Sequence, residues 1–229
     1  MNFIGIDLAW KEKGETAIIA LDYKGEVIAH GCEKENTAIA SFVDRYSADG
    51  CLVGIDAPLV VKNYEGRRQC EEMLQARGIQ AYPANRSWFL RAFGAVRGEK
   101  LVAELEKIGF CLVDTVPRGR YIRGVMEVYP YATIRAVLPE IPPYKKGGKE
   151  QRLMGIRRLL SMLQSLKPPL RIPLRLLQLG GTIDDLKRAS DFIDAAVAAY
   201  TVYVCSMDPG KCIILGNKEE GFVLLPRKF

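Results

Sequence analysis

The sequence predicts an α/β fold: a mixed sheet with an antiparallel three-strand beginning, then strands alternating with helices that cover both faces. Three observations carry this reading. Residues 2–33 hold three short β-rich runs, the last two joined by a tight turn. From residue 36 onward, helical and strand-like segments alternate, the signature of helices packed on a sheet. The run CLVGID at 51–56 is apolar nearly throughout, as a strand buried on both faces requires.

Residues 2–9 and 15–21 are apolar and rich in β-formers. DYKG at 22–25 supplies turn chemistry, so the next run, EVIAHGCE, pairs antiparallel with the one before it. Residues 36–47 predict a helix, with Asn36 or Thr37 as cap and Ile39, Phe42, Val43 and Tyr46 at helical spacing. CLVGID is the fourth strand. GRRQCEEMLQAR at 66–77 predicts a helix stopped by Gly78. IQAYPANRSW reads as an irregular loop, 98–108 as a helix, CLVDTV at 111–116 as a strand, and IRGVMEVYP as another strand. Helices follow at 131–138 and 150–166. KPPLRIPLR at 167–175 is broken by prolines and reads as a loop. The longest helix spans 183–206, and IILG with GFVLLP forms a closing hairpin. At 229 residues the chain is expected to form one domain over 1–229, with a helical and loop insertion around 139–182.

Composition removes several function classes. Hydrophobic residues make up 48% and charged residues 26%, ordinary values for a globular protein. No apolar run approaches the roughly 20 residues that cross a bilayer, so no membrane association is expected. The opening MNFIGIDLAW lacks a basic segment followed by an apolar stretch, which points away from a signal peptide and toward a cytoplasmic location. Six cysteines show no metal-type spacing and read as reduced, mostly buried thiols. One histidine, His30, rules out multi-histidine metal sites and argues against a Ser-His-Asp triad. The net charge of +6 suits a polyanionic ligand equally with a merely solvated surface.

The chemistry-bearing feature is a set of acids in apolar surroundings. Asp7 ends FIGID, Asp56 ends CLVGID, and Glu127 sits in GVMEVYP. Asp191 and Asp194, three apart on one face, interrupt the alanine-rich helix SDFIDAAVAAY. Buried acids are costly unless paired or metal-bound. Each has a plainer reading. Asp7 and Asp56 could be turn residues, Glu127 could face solvent from a half-buried strand, and the helix acids could pair with Lys187 or Arg188 on a solvated face. The repeated Gly-Ile-Asp weakens the turn reading for the first two. Gly5 allows close approach of another backbone, and Ala195, Ala198 and Ala199 allow the helix to lie near the sheet. A carboxylate cluster without histidine suits the hard cations Mg²⁺ or Mn²⁺, which take oxygen ligands and activate water for phosphodiester cleavage. Asp7, Asp56 and Asp194 are the expected metal ligands, with Glu127 and Asp191 completing the catalytic set.

Basic residues flank these motifs. Arg67, Arg86, Arg120 and Arg123 are candidates for substrate phosphate, together with the neighbouring Arg68 and Arg118. Tyr82 or Trp88 could stack on a base, although core packing is the plainer reading for Trp88. KKGGKE at 145–150 lacks the upstream Gly and the Ser or Thr of a phosphate loop, and is set aside.

GIDLAW, GIDAPL, EVYP and DFIDAAVAAY, with RRQCEEML at 67–74 and EEGFVLLP at 219–226, resemble an uncharacterised family classed as predicted ribonuclease-H-like nucleases (domain of unknown function four-two-nine). The resemblance runs nearly end to end. It implies a ribonuclease-H-like sheet, acids at Asp7 on the first strand, Asp56 on the fourth and Asp194 on a late helix, and Asp191 as near neighbour. A divalent-metal-dependent nuclease acting on RNA or DNA is therefore the expected function. The alternative is a non-catalytic nucleic-acid- or nucleotide-binding protein with a relict site. An actin or sugar-kinase type of phosphate binder also opens on a GID-like strand, but needs two duplicated domains that this chain lacks.

Overall fold

Three strands open the fold: β1 (Asn2–Asp7), β2 (Thr16–Leu21) and β3 (Val27–Glu33) form an antiparallel meander. In this computed structural model, which describes residues 1–116, 122–180 and 182–227, the turn between β2 and β3 behaves as its residues dictate. Asp22 Oδ1 accepts hydrogen bonds from the Lys24 and Glu26 amides at 2.8 and 2.9 Å. Gly25 takes φ +79°, a conformation that costs glycine little.

After helix α1 (Asn36–Arg45) the chain returns as β4 (Cys51–Asp56), parallel to β1. Two further strands, β5 (Cys111–Leu112) and β6 (Arg123–Glu127), extend the parallel half, giving the order β3-β2-β1-β4-β6-β5. This is the mixed sheet that the sequence predicts. Ile4, Ile6, Ile18, Ile19, Leu52, Val53 and Ile55 have no exposed surface. Burial of each such side chain contributes roughly 1.5–3 kcal/mol.

Helices cover both faces. Gly31 of β3 meets Phe42 of α1 on one side. On the other lies α8 (Ile183–Met207), begun by a reciprocal cap in which Thr182 Oγ1 accepts from the Asp185 amide and Asp185 Oδ2 from the Thr182 amide, both at 3.1 Å. α8 lies almost backbone to backbone on the sheet. A Cβ on Gly5 would stand 1.8 Å from the Ala195 carbonyl oxygen, and one on Gly54 2.6 Å from that of Ala198. The alanine face and the two glycines therefore set the depth of this helix.

Several boundaries differ from expectation for identifiable reasons. α2 is only Gln69–Gln75, because Arg68 stays extended as its N-cap. The loop expected through residue 88 gives way at Arg86 to α3 (Arg86–Phe93), since Asn85 Oδ1 caps the Trp88 amide at 3.0 Å. α4 (Arg97–Lys107) follows as predicted. β5 covers two residues of the six expected. β6 ends at Glu127, and Pro130 starts α5 (Pro130–Val137), where a missing amide proton is harmless. α6 (Lys149–Gln164) agrees with expectation, while the proline-broken segment contains the short α7 (Leu174–Leu177). The closing hairpin, β7 (Cys212–Asn217) with β8 (Gly221–Pro226), forms a separate two-stranded sheet touching the main one through a bridge from Val128 to Leu224.

The reading of the cysteines as reduced thiols is corrected. Cys205 and Cys212 form a disulfide, because the C-terminal end of α8 and the start of β7 bring their Cα atoms to 5.6 Å. Cys32 and Cys111 are exposed; only Cys51 and Cys70 are buried free thiols, each pushed up to about 12 by burial. No helix among the described residues is long and apolar enough to cross a membrane.

Candidate metal centre

Parallel pairing of β1 with β4 sets Asp7 directly beside Asp56, as Gly5 is set beside Gly54 two residues earlier. Side chains alternate along a strand, so both acids share the glycines' face, the one α8 covers. α8 brings Asp194 next to the Ala195 that Gly5 contacts. Carboxylate oxygens of Asp7, Asp56 and Asp194 all lie within 4.8 Å of one another. Asp194 is 1% exposed, while the two strand acids keep some surface toward solvent.

Two residues from the loop before α6 partly compensate this charge. The Tyr144 hydroxyl donates to Asp194 Oδ1 at 2.9 Å, and the Lys145 ammonium forms an ion pair with Asp194 Oδ2. Gly155 of α6 makes this possible: a Cβ there would stand 2.6 Å from Pro143 backbone atoms. Fully ionised, the three carboxylates would exceed the one ammonium by two charges, and burial together with this repulsion favours their protonated forms. Burial, then Asp194 and Asp56, hold Asp7 well above the usual carboxylate range. Burial and then Asp194 push Asp56 up to about 8. Burial raises Asp194 as well, opposed by Lys145 and Tyr144. For Lys145, burial disfavours the charged form, but Asp194 and Asp7 more than offset it and its affinity for the proton rises.

The donor set fits a hard divalent cation. It offers only carboxylate oxygens, and once ionised its excess over the Lys145 ammonium equals the charge of one divalent ion.

The other acids are placed differently. Asp191 lies one turn earlier on α8, close enough to raise the Asp7 carboxyl, with Lys187 Nζ 3.9 Å away. Its own carboxyl is raised by burial. Glu127 pairs in register with Ile55, one residue short of Asp56. That offset turns it to the opposite face of the sheet. There Arg68 grips it with Nη1 at 2.9 Å and Nη2 at 2.7 Å, and the Leu59 amide donates to it at 2.9 Å. Arg68 also binds Glu71 at 2.8 Å, and Glu71 accepts from the Ala84 amide at 3.0 Å.

The arginines assigned to substrate phosphate are scattered. Arg67 is exposed, with Nε 3.3 Å from Gln75 Oε1. Arg86 is bound to both oxygens of Glu99 at 2.8 and 2.9 Å. Arg123 starts β6, at the opposite end of the parallel strands from the acids, and binds the Ile108 carbonyl at 2.6 Å and Asp44 at 3.3 Å. The structure therefore does not bring Arg123 to the triad. Arg118 and Arg120 lie outside the described residues. Trp88 packs edge-to-face with Trp10 at 5.3 Å, in a small aromatic cluster with Phe89 and Phe93.

Sequence reasoning missed Tyr144, Lys145 and the structural role of Arg68. The first two sit in a loop with no periodicity, so no spacing marks them. For Arg68 a partial signal existed: Glu71, three residues on at the helix start, can reach back and accept from the Arg68 amide, as it does at 3.1 Å.

A family model described as protein of unknown function (DUF429) matches residues 5–220. No curated protein matches the chain.

Proposed function

Because the chain belongs to the DUF429 family, whose description assigns no activity, we propose a function from the site itself: divalent-metal-dependent hydrolysis of phosphodiester bonds in RNA or DNA. The single observation that carries this reading is the convergence of the Asp7, Asp56 and Asp194 oxygens, within 4.8 Å of one another and short of positive charge. Mg²⁺ or Mn²⁺ bound there would supply charge stabilisation for the phosphate oxygens and an activated water.

In this proposal the chain's own residues have separate duties. Asp7 and Asp56 hold the cation from the rigid strands, and Asp194 holds it from the helix. Tyr144 fixes the orientation of Asp194, and the Lys145 ammonium occupies its other oxygen until a cation displaces it. Asp191, at the side of the triad, takes the proton released as water attacks the phosphorus and the P–O bond to the leaving oxygen breaks. Glu127 is a positioning residue, since its contacts order the chain just after Asp56. The net charge of +6 draws the polyanion toward a site whose own acids would repel it without a cation.

One observation favours a second reading. Lys145 supplies a cation of its own to Asp194, as a relict site in a non-catalytic nucleic-acid-binding protein would. The test is incubation of the full chain with single- and double-stranded RNA and DNA plus Mg²⁺ or Mn²⁺. Hydrolysis that drops at least about 100-fold in Asp7→Asn is expected. Binding without hydrolysis, or hydrolysis unchanged in Asp7→Asn, rejects the hydrolase.

A further inference from the structure

The chain has two tryptophans, and both line one cleft. Trp10 follows Asp7 by three residues, just beyond the end of β1, and Trp88 lies in the first turn of α3. They share the cleft, of about 80 Å³, with Pro58, Tyr82, Tyr129 and Asp56. Asp56 is thus common to the acidic triad and to this aromatic recess.

We propose that the cleft is a nucleobase subsite, which takes the base of the nucleoside attached to the phosphate at Asp56. The proposal rests on the phosphodiester reading above and names the substrate class: a strand with an unpaired base at the reacting position.

Position, lining and rigidity carry it. A phosphate at the triad has its own base only one sugar away, so a recess sharing Asp56 lies within that base's reach. Trp10, Tyr82, Trp88 and Tyr129 bring four aromatic rings to its lining, and base–aromatic stacking is the usual means of holding unpaired bases. Trp10, Trp88 and Tyr129 are fixed beforehand. The two indoles meet at 86°, Trp10 also packs on Phe89 at 5.5 Å, and the Tyr129 hydroxyl is anchored to the Gln80 carbonyl at 2.9 Å. Little ordering is then required of the protein when a ligand enters. Tyr82 is 80% exposed, a large aromatic surface held in solvent at the recess.

The polar walls restrict what the subsite reads. Glu71 and Glu127 line the cleft, but Arg68, Leu59 and Ala84 already engage them. Recognition is therefore by stacking, tolerant of base identity. A base paired within a duplex cannot present its faces to such rings, so the duplex is the poor ligand.

Tryptophan emission reports on the cleft directly, since no other indole exists in the chain. The full chain is titrated first without and then with Ca²⁺, a hard oxygen-binding cation that offsets the acids beside the phosphate, using a short single-stranded oligonucleotide, its blunt duplex, an abasic strand of equal length and a nucleoside monophosphate. Quenching by the single strand, with little from the duplex or the abasic strand, is expected. Tyr82→Ala, at a position the fold does not bury, weakens the apparent Kd about tenfold. Equal quenching by the monophosphate supports the subsite and assigns its base to a free nucleotide. No quenching by any base-bearing ligand, or equal quenching by the abasic strand, overturns it. Mn²⁺-dependent cleavage of the same strands separates the two proposals. Quenching without cleavage rejects the hydrolase and keeps the subsite; cleavage without quenching rejects only the subsite.

Discussion

Two buried carboxylate clusters stand near the same end of the central strands, and they are balanced in opposite ways. Around Arg68, Glu71 and Glu127 meet a guanidinium whose side chain is 3% exposed, and backbone amides from Leu59 and Ala84 donate to the same two acids. Around Asp194, three carboxylates share one ammonium and one tyrosine hydroxyl. Burial opposes ionisation in both, but Arg68 draws Glu127 back toward the charged form, whereas the neighbours of Asp7 push it further away. Residue type alone does not separate structural from functional acids. Saturation does: a carboxylate whose hydrogen-bonding capacity is filled by the protein has none left for a ligand.

The largest expected effect breaks the saturated cluster. Arg68→Met leaves Glu71 and Glu127 buried without their cation and should cost about 3–5 kcal/mol in urea unfolding. Asp7→Asn, which relieves repulsion, should leave metal-free stability unchanged or raised. Equal losses in the two variants would show that both clusters are structural.

Next in size is the cation itself. Mn²⁺ at about 100 times its Kd should stabilise the protein by about 2.7 kcal/mol, with no gain in Asp56→Asn. At a fixed Mn²⁺ concentration the gain should grow with pH. The triad acids titrate higher in the folded chain than in the unfolded one, so the folded form binds more protons. Metal-free stability therefore falls as pH rises from about 4, the ordinary range, to about 8, where Asp56 titrates. A bound cation removes that penalty and competes with protons. Thermal melts at pH 5 and pH 8, with and without Mn²⁺, check both signs; a gain larger at pH 5 contradicts the metal reading.

Lys145→Met sharpens the comparison from the other side. If its ammonium competes for the cation's position, Mn²⁺ affinity by calorimetry should rise about fivefold. Weaker binding would make Lys145 a support of the site instead. The smallest effect belongs to Tyr144→Phe. It removes one hydrogen bond to Asp194, and about 0.5–1 kcal/mol of stability should go with it.

Much of this was legible in the chain. The Gly-Ile-Asp repeats mark two strands whose glycines admit a helix backbone and whose acids stand two residues further on. The alanines of α8 mark the helix that fits there. Asp7, Asp56 and Asp194 follow from those local patterns, because period-two and period-3.6 spacing fix which side chains share a face. Glu127 looked equivalent in sequence and is not, since its pairing partner is Ile55. Strand register is a relation between segments and leaves no trace within either one. Asn85 was readable as a cap, yet the proline and aromatics before it looked like loop.

By itself, the sequence determined most of the elements, α3 and the short α7 apart, together with the mixed sheet and the three acids, because each rests on patterns among residues close together in the chain. Only the tertiary structure decided the balance of charge among them. Tyr144 reaches Asp194 across 50 residues, and Arg68 reaches Glu127 across 59. Trp10 and Trp88 likewise meet in one cleft from distant segments. Electrostatic pairing acts over a few ångströms of space, and the packing of glycine against alanine under α8 sets those distances.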